Sequence, residues 1–360
     1  MPIYLDYNAT APLRQQVIDI MTEISKLPAN PSSAHQFGRR AKKYVEDARR
    51  MVAQAISVWS DEVIFTASAT EANNMVLKAF ASQAISAVEH SSVLKAARDP
   101  QLIAVDNEGM VDLAALEAQL AKHQPKLVSV MLANNETGVI QPVTEIAALC
   151  KKHNVLLHCD AVQGLGKIPV DCGALGADLI TLTTHKCGGP VGAGILVIRR
   201  GIDVAPLLAG GGQEMRKRAG TENVAAIAGA AKAIELVDLN QVKVWRQWLS
   251  TMEQAFIQRG ALVLGTGASR LPNTSCVVMP GISQETQLMD FDLAGFAVSA
   301  GSACSSGRIE PSHVLLAMGI DKKLAGSAIR VSLGWDTKEE EIHAFTQAWI
   351  ATCERLAKIA

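Results

Sequence analysis

Two apolar runs in the chain end on residues that apolar strands rarely tolerate. Leu156-Leu-His-Cys159 leads straight into Asp160-Ala-Val-Gln163, and Leu179-Ile-Thr-Leu-Thr183 leads into Thr184-His185-Lys186, followed by the glycine-rich stretch Cys187 to Gly194. A carboxylate at the end of a buried strand needs a partner, because an unpaired charge is costly to take out of water. Asp160 can find that partner in a ligand cation or in the backbone of the next turn. A lysine between two buried strands is partly desolvated, which lowers its pKa and suits it to Schiff-base chemistry. Taken alone, Lys186 reads better as a loop lysine with its head in water. A third run, Val63-Ile-Phe-Thr66, precedes Ala67-Ser-Ala-Thr70 and a helix-like Glu71-Ala-Asn-Asn segment. Small and hydroxyl residues at a helix start leave N–H groups free to hold a phosphate. Simple capping accounts for Thr70 equally well.

Taken together, these endings are more specific. A carboxylate, a glutamine, hydroxyls, a histidine and a lysine at successive strand exits supply the parts that pyridoxal phosphate needs. The lysine binds the cofactor's aldehyde, the carboxylate keeps the pyridine nitrogen protonated, and hydroxyl and N–H groups hold the phosphate.

The chain has seven cysteines, none of them in a CxxC pair, so neither a disulfide framework nor a zinc site is expected and no metal is assigned. Cys150, Cys159, Cys172, Cys187, Cys276 and Cys353 lie in or beside apolar or glycine-bearing segments, where cysteine acts as a small hydrophobe. Cys304 differs. It sits in Ser299-Ala-Gly-Ser-Ala-Cys-Ser-Ser-Gly307, which has no bulky apolar anchor, and this predicts a mobile loop with an accessible thiol.

The elements that must position these groups follow from the hydrophobic pattern. Val63 to Thr66, Leu127 to Leu132, Val155 to Cys159, Leu179 to Thr183 and Ile195 to Ile198 read as buried strands. Helical patterns such as Ala41 to Ile56 and Val143 to His153 lie between several of them, so an α/β fold with a mostly parallel sheet is expected. Ligands of such sheets bind beyond the carboxyl ends of the strands. After residue 240 the pattern changes, beginning with a helical stretch from Val242 to Arg259. The expected division is a large domain, 13–240, and a smaller α+β domain formed by 1–12 with 241–360.

The 360 residues carry 34 basic and 35 acidic side chains, for a net charge of −1. Such a balance provides no general field for nucleic acid or an anionic membrane surface. No apolar run approaches the ~20 residues of a membrane span. Met1 to Pro12 contains Asp6 and lacks the basic-then-apolar pattern of a secretory signal. The expectation is a cytoplasmic protein with neither nucleic-acid nor membrane partners.

The sequence resembles the NifS/IscS-type cysteine desulfurases, fold-type I pyridoxal-phosphate enzymes of the class V aminotransferase group. The likeness rests on strings that occur in the family's order over nearly the whole chain. They are Tyr4-Leu-Asp-Tyr-Asn-Ala-Thr-Ala-Pro12, Asn30-Pro-Ser-Ser-Ala-His35 with Gly38-Arg39, Ala69-Thr70-Glu71, Glu89-His90 and Asn134-Asn-Glu-Thr-Gly138. Asp160 to Gln163, His185-Lys186, Gly220-Thr-Glu-Asn223, Ser302-Ala-Cys304 and Ile329-Arg-Val-Ser-Leu-Gly334 complete the set. The resemblance implies that Lys186 holds the cofactor and moves the substrate proton, that Asp160 pairs with the pyridinium nitrogen, and that Gln163 and Asn135 meet the ring oxygen. His90 would stack on the ring and assist proton transfer as a catalytic residue, Ala69, Thr70, Thr183 and His185 would hold the phosphate, and Thr221 would reach the phosphate of a second subunit in a homodimer. Arg330 would clamp the substrate carboxylate in a bidentate pair, with Asn8 also on the substrate side. Cys304 would attack the sulfur of L-cysteine, leaving alanine and a persulfide for an acceptor such as an iron–sulfur scaffold. A free thiol is only a few per cent thiolate at neutral pH, so this attack starts from a minority form.

Four positions depart from the family pattern. Ser68 stands where glycine is usual, Met215 and Arg216 where Arg and Gly are usual, and Cys187 where a larger apolar residue is common. Competing readings on the same scaffold are a selenocysteine lyase, a class V aminotransferase, and a sulfur-assembly interaction protein without catalysis.

Overall fold

The computed structural model describes residues 2–301 and 311–356 of the chain. Its thirteen strands are β1 (Ile3–Tyr4), β2 (Val63–Thr66), β3 (Gln83–Ser86), β4 (Gln101–Ile103), β5 (Leu127–Ser129), β6 (Leu156–Asp160), β7 (Leu179–Thr183), β8 (Gly194–Ile198), β9 (Leu262–Val263), β10 (Thr274–Val278), β11 (Phe296–Ala297), β12 (Ser299–Ala300) and β13 (Ala328–Ser332). Seven of them form one sheet in the order β2-β8-β7-β6-β5-β3-β4. Strands β2, β7 and β8 are buried along their whole length because helices cover both faces. Alternate side chains divide between the two layers, as the two-residue period of a strand requires. Val63 and Phe65 pack with Val45, Ala48 and Val52 of the helix Gln36–Ala55, whereas Ile64 packs with Ala72, Met75 and Val76 of the helix Ala69–Ala79.

The expected parallel sheet holds from β7 through β6, β5 and β3 to β4. Strand β8 instead runs antiparallel to both β7 and β2. Residues 184–193 are too few for the dozen or so that a parallel crossover takes. The chain therefore turns back, and the turn itself carries Lys186. Strands β3 and β4 escape the hydrophobic pattern because they are short and contain Gln83, Ser86 and Gln101. The run Leu127 to Leu132 is assigned as strand only to Ser129. Its backbone nevertheless stays bonded to β6, with Val130 N donating to His158 O at 3.0 Å and Leu132 N to Asp160 O at 2.9 Å.

A second, antiparallel sheet has the order β12-β13-β10-β9. Its core includes Trp245, Phe256, Phe291, Phe345 and Trp349, with Phe256 and Trp349 stacked at a centroid distance of 4.0 Å. Leu5 is buried in this same cluster, and β1 pairs parallel with β11. Asp6 bridges Ser332 at the end of β13, so the N-terminal strip is sewn to the second sheet and ends beside the cavity between the two. Among the described residues no helix is long and apolar enough to cross a membrane.

Candidate active site

A cavity of about 510 Å³ lies at the carboxyl ends of β5, β6 and β7 and beside β13. Eleven of the thirteen residues expected from the sequence line it: Asn8, Ala69, Thr70, His90, Asn135, Asp160, Gln163, Thr183, His185, Lys186 and Arg330. Thr221 is exposed and outside this cavity, and Cys304 lies outside the described residues.

Asp160 closes β6 and is 5% exposed. Its Oδ2 accepts from Asn73 Nδ2 at 2.8 Å and its Oδ1 from Val162 N at 3.1 Å. Asn73 projects from the helix Ala69–Ala79 and also donates to Ser92 Oγ at 2.8 Å. The carboxylate is thus oriented by neutral donors, with no salt bridge to it among the described residues, which leaves it suited to a cationic group of a ligand.

Lys186 follows β7 in the turn toward β8. Burial pushes its amine down to about 8, with the Arg330 charge acting in the same direction and Asp160 and Asp6 opposing. With a pKa of about 8, roughly a tenth of it is the neutral, nucleophilic form at pH 7, far more than an ordinary lysine supplies. His90 sits at the start of the short helix Ser91–Leu94, where Ser92 N donates to its Nδ1 at 3.1 Å. A backbone N–H can only donate, so the neutral ring carries its proton on Nε2. Burial holds the His90 pKa below its ordinary value, as do Lys186 and His313, while Asp160 opposes them.

The helix Ala69–Ala79 opens toward the cavity. Its cap is Ser68, not Thr70: Ser68 Oγ accepts from Glu71 N at 3.1 Å, leaving the first-turn N–H groups of Ala69 and Thr70 outside the helical bonding pattern. At φ −167° and ψ 162° Ser68 is extended, a conformation that needs no glycine. The space of a side chain matters at Gly194 instead, where a Cβ would lie 2.4 Å from the Ser68 carbonyl carbon. Close by, burial, reinforced by Lys186 and Lys167, lowers His185 to about 4, so its imidazole is neutral. Backbone N–H groups at a helix N-terminus, a neutral histidine and the Thr183 hydroxyl make a fitting cradle for a phosphate.

At the opposite side, Arg330 of β13 donates from Nη1 to Asn135 O at 2.9 Å and from Nη2 to Asp6 Oδ1 at 2.5 Å. Its buried Nε has no partner among the described residues, which fits an anion brought by a ligand. Asn8 differs from expectation in its availability. Its Nδ2 donates to Asn135 O and Thr274 Oγ1, and its Oδ1 accepts from Lys167 Nζ and Asn273 Nδ2. That uses both amide protons and both oxygen lone pairs, so Asn8 joins the N-terminal strip to both sheets and has nothing left for a substrate.

Cys187 is buried behind the lysine turn. Its thiol donates to Thr184 O at 3.2 Å, and burial pushes its pKa up to about 12. The chain at Gly166 packs directly on the Cys187 Cβ, 2.5 Å from where a side chain at 166 would begin, so this contact requires the glycine at 166. Cys150, Cys159, Cys172 and Cys276 are likewise buried with raised pKa values, and the partly buried Cys353 is raised to about 11. None of these six is placed to act as a thiolate.

Sequence reasoning missed Asp6, Asn73, Ser92 and Lys167. Lys167 is 2% exposed and held by Asn8 and Gln163, in a Gly-Leu-Gly-Lys stretch whose glycines are the only hint that a lysine could be buried there. The residues present fit pyridoxal phosphate: first-turn N–H groups at a helix start beside a neutral histidine, a buried carboxylate without a salt bridge among the described residues, and an amine of lowered pKa share one cavity.

Comparison with known proteins agrees with this geometry. The profile of the Aminotransferase class-V family matches residues 3–345. Cysteine desulfurase IscS of Dictyoglomus turgidum is 41% identical over 99% of this chain and 96% of its own length. The X-ray structure of a NifS-like protein from Rickettsia africae superposes with a TM-score of 0.90 at 36% identity, covering 97% of this chain and 98% of that one. A structure described as SspA in complex with cysteine superposes with a TM-score of 0.80 at 26% identity over 92% of this chain and 98% of its own. The chain belongs to the class-V aminotransferase family, among its NifS/IscS-type, pyridoxal-phosphate-dependent cysteine desulfurases.

Proposed function

We propose that this protein removes sulfur from L-cysteine, releases L-alanine, and carries the sulfur as a Cys304 persulfide to an acceptor protein, such as an iron–sulfur scaffold. The observation that carries this reading is the convergence of Lys186, Asp160, His90 and Arg330 on one cavity. The relatives named cysteine desulfurase and the similarly folded SspA, whose structure contains cysteine, support the substrate.

When bound, pyridoxal phosphate supplies a carbonyl that attaches to amines and a ring that accepts electrons from the substrate carbon. Around it, each group of the chain has a definite task. Ala69, Thr70, Thr183 and His185 hold the phosphate, and Asp160 keeps a proton on the ring nitrogen. Gln163 and Asn135 meet the ring oxygen. His90, which lines the cavity with its proton on Nε2, would lie against the ring. Arg330 receives the substrate carboxylate with two or more N–H groups, which positions the substrate's α-carbon near the Lys186 amine. With a pKa near 8, Lys186 Nζ can take a proton from carbon and return it without being locked in either form. The Cys304 thiolate then attacks the substrate sulfur. A sulfur–sulfur bond forms and the carbon–sulfur bond breaks, its electron pair staying on carbon, which takes up a proton as alanine's methyl group. No external oxidant is needed.

The proposal includes a homodimer, since Thr221 lies away from its own chain's cavity and is free to reach another. The test is to measure alanine and protein persulfide from L-cysteine for the wild type and the Cys304→Ala variant. Turnover that needs Cys304 is expected. Equal persulfide-dependent sulfur transfer by the variant would refute the assignment. Turnover of L-selenocysteine alone would favour a lyase, and amino-group transfer to an oxo acid would favour an aminotransferase.

A further inference from the structure

Lys167 lies behind the cavity, in the turn that follows Gln163. Its Nζ donates to Asn8 Oδ1 at 2.7 Å and to Gln163 Oε1, and no carboxylate forms a salt bridge with it among the described residues. Burial, with Lys186 and Arg330 nearby, pushes its pKa well below the ordinary lysine range. Two acceptors and no counter-ion match a neutral amine, which has two N–H groups to give.

The contact with Gln163 fixes that residue's orientation. An amide turned end over end would set its carbonyl oxygen against the Asn8 carbonyl oxygen, which can only accept, and would take from Lys167 Nζ the acceptor that Oε1 now gives it. With Lys167 on Oε1, Gln163 must direct Nε2 away from it. One Nε2 proton goes to Asn8 O at 3.1 Å, and the other remains for the cavity that Gln163 lines. We propose that Lys167 is a positioning residue, which locks the Gln163 amide so that it offers an N–H, and not a carbonyl, to the ring oxygen of the cofactor. This inference rests on the pyridoxal-phosphate reading above.

Two variants test it through cofactor binding. Lys167→Met removes the donor while keeping the length, and Gln163→Glu keeps an acceptor for Lys167 but has no N–H to offer the ring. Each is expected to weaken pyridoxal-phosphate binding about tenfold, the scale of one buried hydrogen bond, and to shift the pH midpoint of the visible absorbance of the bound cofactor. In a Gln163→Leu background, Lys167→Met is expected to add less than about twofold, since coupled residues are not additive. Full additivity in that background, or wild-type binding and absorbance in Gln163→Glu, overturns the inference, and the second result does so whether or not Lys167→Met folds. A wild type that fails to bind the cofactor would refute the cofactor reading itself, a result separable from either of these.

Discussion

Asp160 and Lys186 face the same cavity with opposite needs. Asp160 is oriented by Asn73 and the Val162 N–H, while Lys186 is deprived of water and forms no salt bridge among the described residues. That imbalance has a consequence for stability. The Lys186 amine falls from an ordinary 10.5 to about 8 on folding. Between those values the unfolded chain binds more protons than the folded one, so stability must rise with pH across that window. Below about 8 both forms are charged and the full cost of burying the ammonium is present. The cofactor-free wild type is therefore expected to gain melting temperature from pH 8 toward pH 10 relative to Lys186→Met. Parallel curves for the two proteins would show that the lysine is not desolvated.

Elements set the residues at the phosphate end. Helix Ala69–Ala79 starts where β2 ends, and Ser68 caps it from an extended conformation, so the departure from glycine costs the turn nothing. The segment around Arg216 is different. Glu214, Met215 and Arg216 have φ of 45°, 54° and 64°, three successive residues in the left-handed region that favours glycine. What holds them there is the buried pair Arg49–Glu214, with Glu214 Oε1 2.9 Å from Arg49 Nη2 and Oε2 2.8 Å from both Arg49 Nη1 and Phe65 N. Arg216 stands where the family resemblance leads glycine to be expected, and its backbone takes a left-handed conformation that glycine favours. Restoring it with Arg216→Gly is expected to raise unfolding free energy by roughly 0.5–1 kcal/mol, the left-handed penalty less the added chain entropy of glycine. Chemical denaturation measures this, and a loss of stability would mean that the arginine side chain makes a compensating contact.

On the scale of the whole molecule, two apolar cores flank the site. One lies on the seven-stranded sheet, and the other holds Leu5 together with Trp245, Phe345 and Trp349. Val88 packs with Leu264, Cys276 and Val314, so the two meet in an apolar seam. We propose on this basis that residues 13–240 form a large unit and that 1–12 with 241–360 form a smaller one. The proposed dimer makes a stricter prediction. If each site combines Lys186 of one subunit with Thr221 of the other, two inactive variants can complement each other. Mixing Lys186→Ala with Thr221→Ala and allowing subunit exchange is expected to restore activity toward about a quarter of wild type, because half the dimers are mixed and each has one intact site. No gain above the average of the separate proteins, with exchange confirmed by mass, would place Thr221 outside the shared site.

Sequence alone determined the chemistry that this chain could attempt. Asp160, Lys186 and the hydroxyl-rich helix start each follow a local apolar run, and in an α/β chain such exits gather at one edge of the sheet because the strands share a direction. The same local logic placed β2, β7 and most of β8. Only the tertiary structure decided how those groups are held. Asn73 reaches Asp160 across 87 positions and Asp6 reaches Arg330 across 324, contacts that no local period records. It also decided that Asn8 is consumed by its neighbours, that β8 reverses direction, and that Lys167 is buried behind Gln163. The physical reason is common to these cases. Local patterns report which face of an element leaves water, whereas a buried polar group is satisfied by whichever distant donor or acceptor the packing brings within about 3 Å.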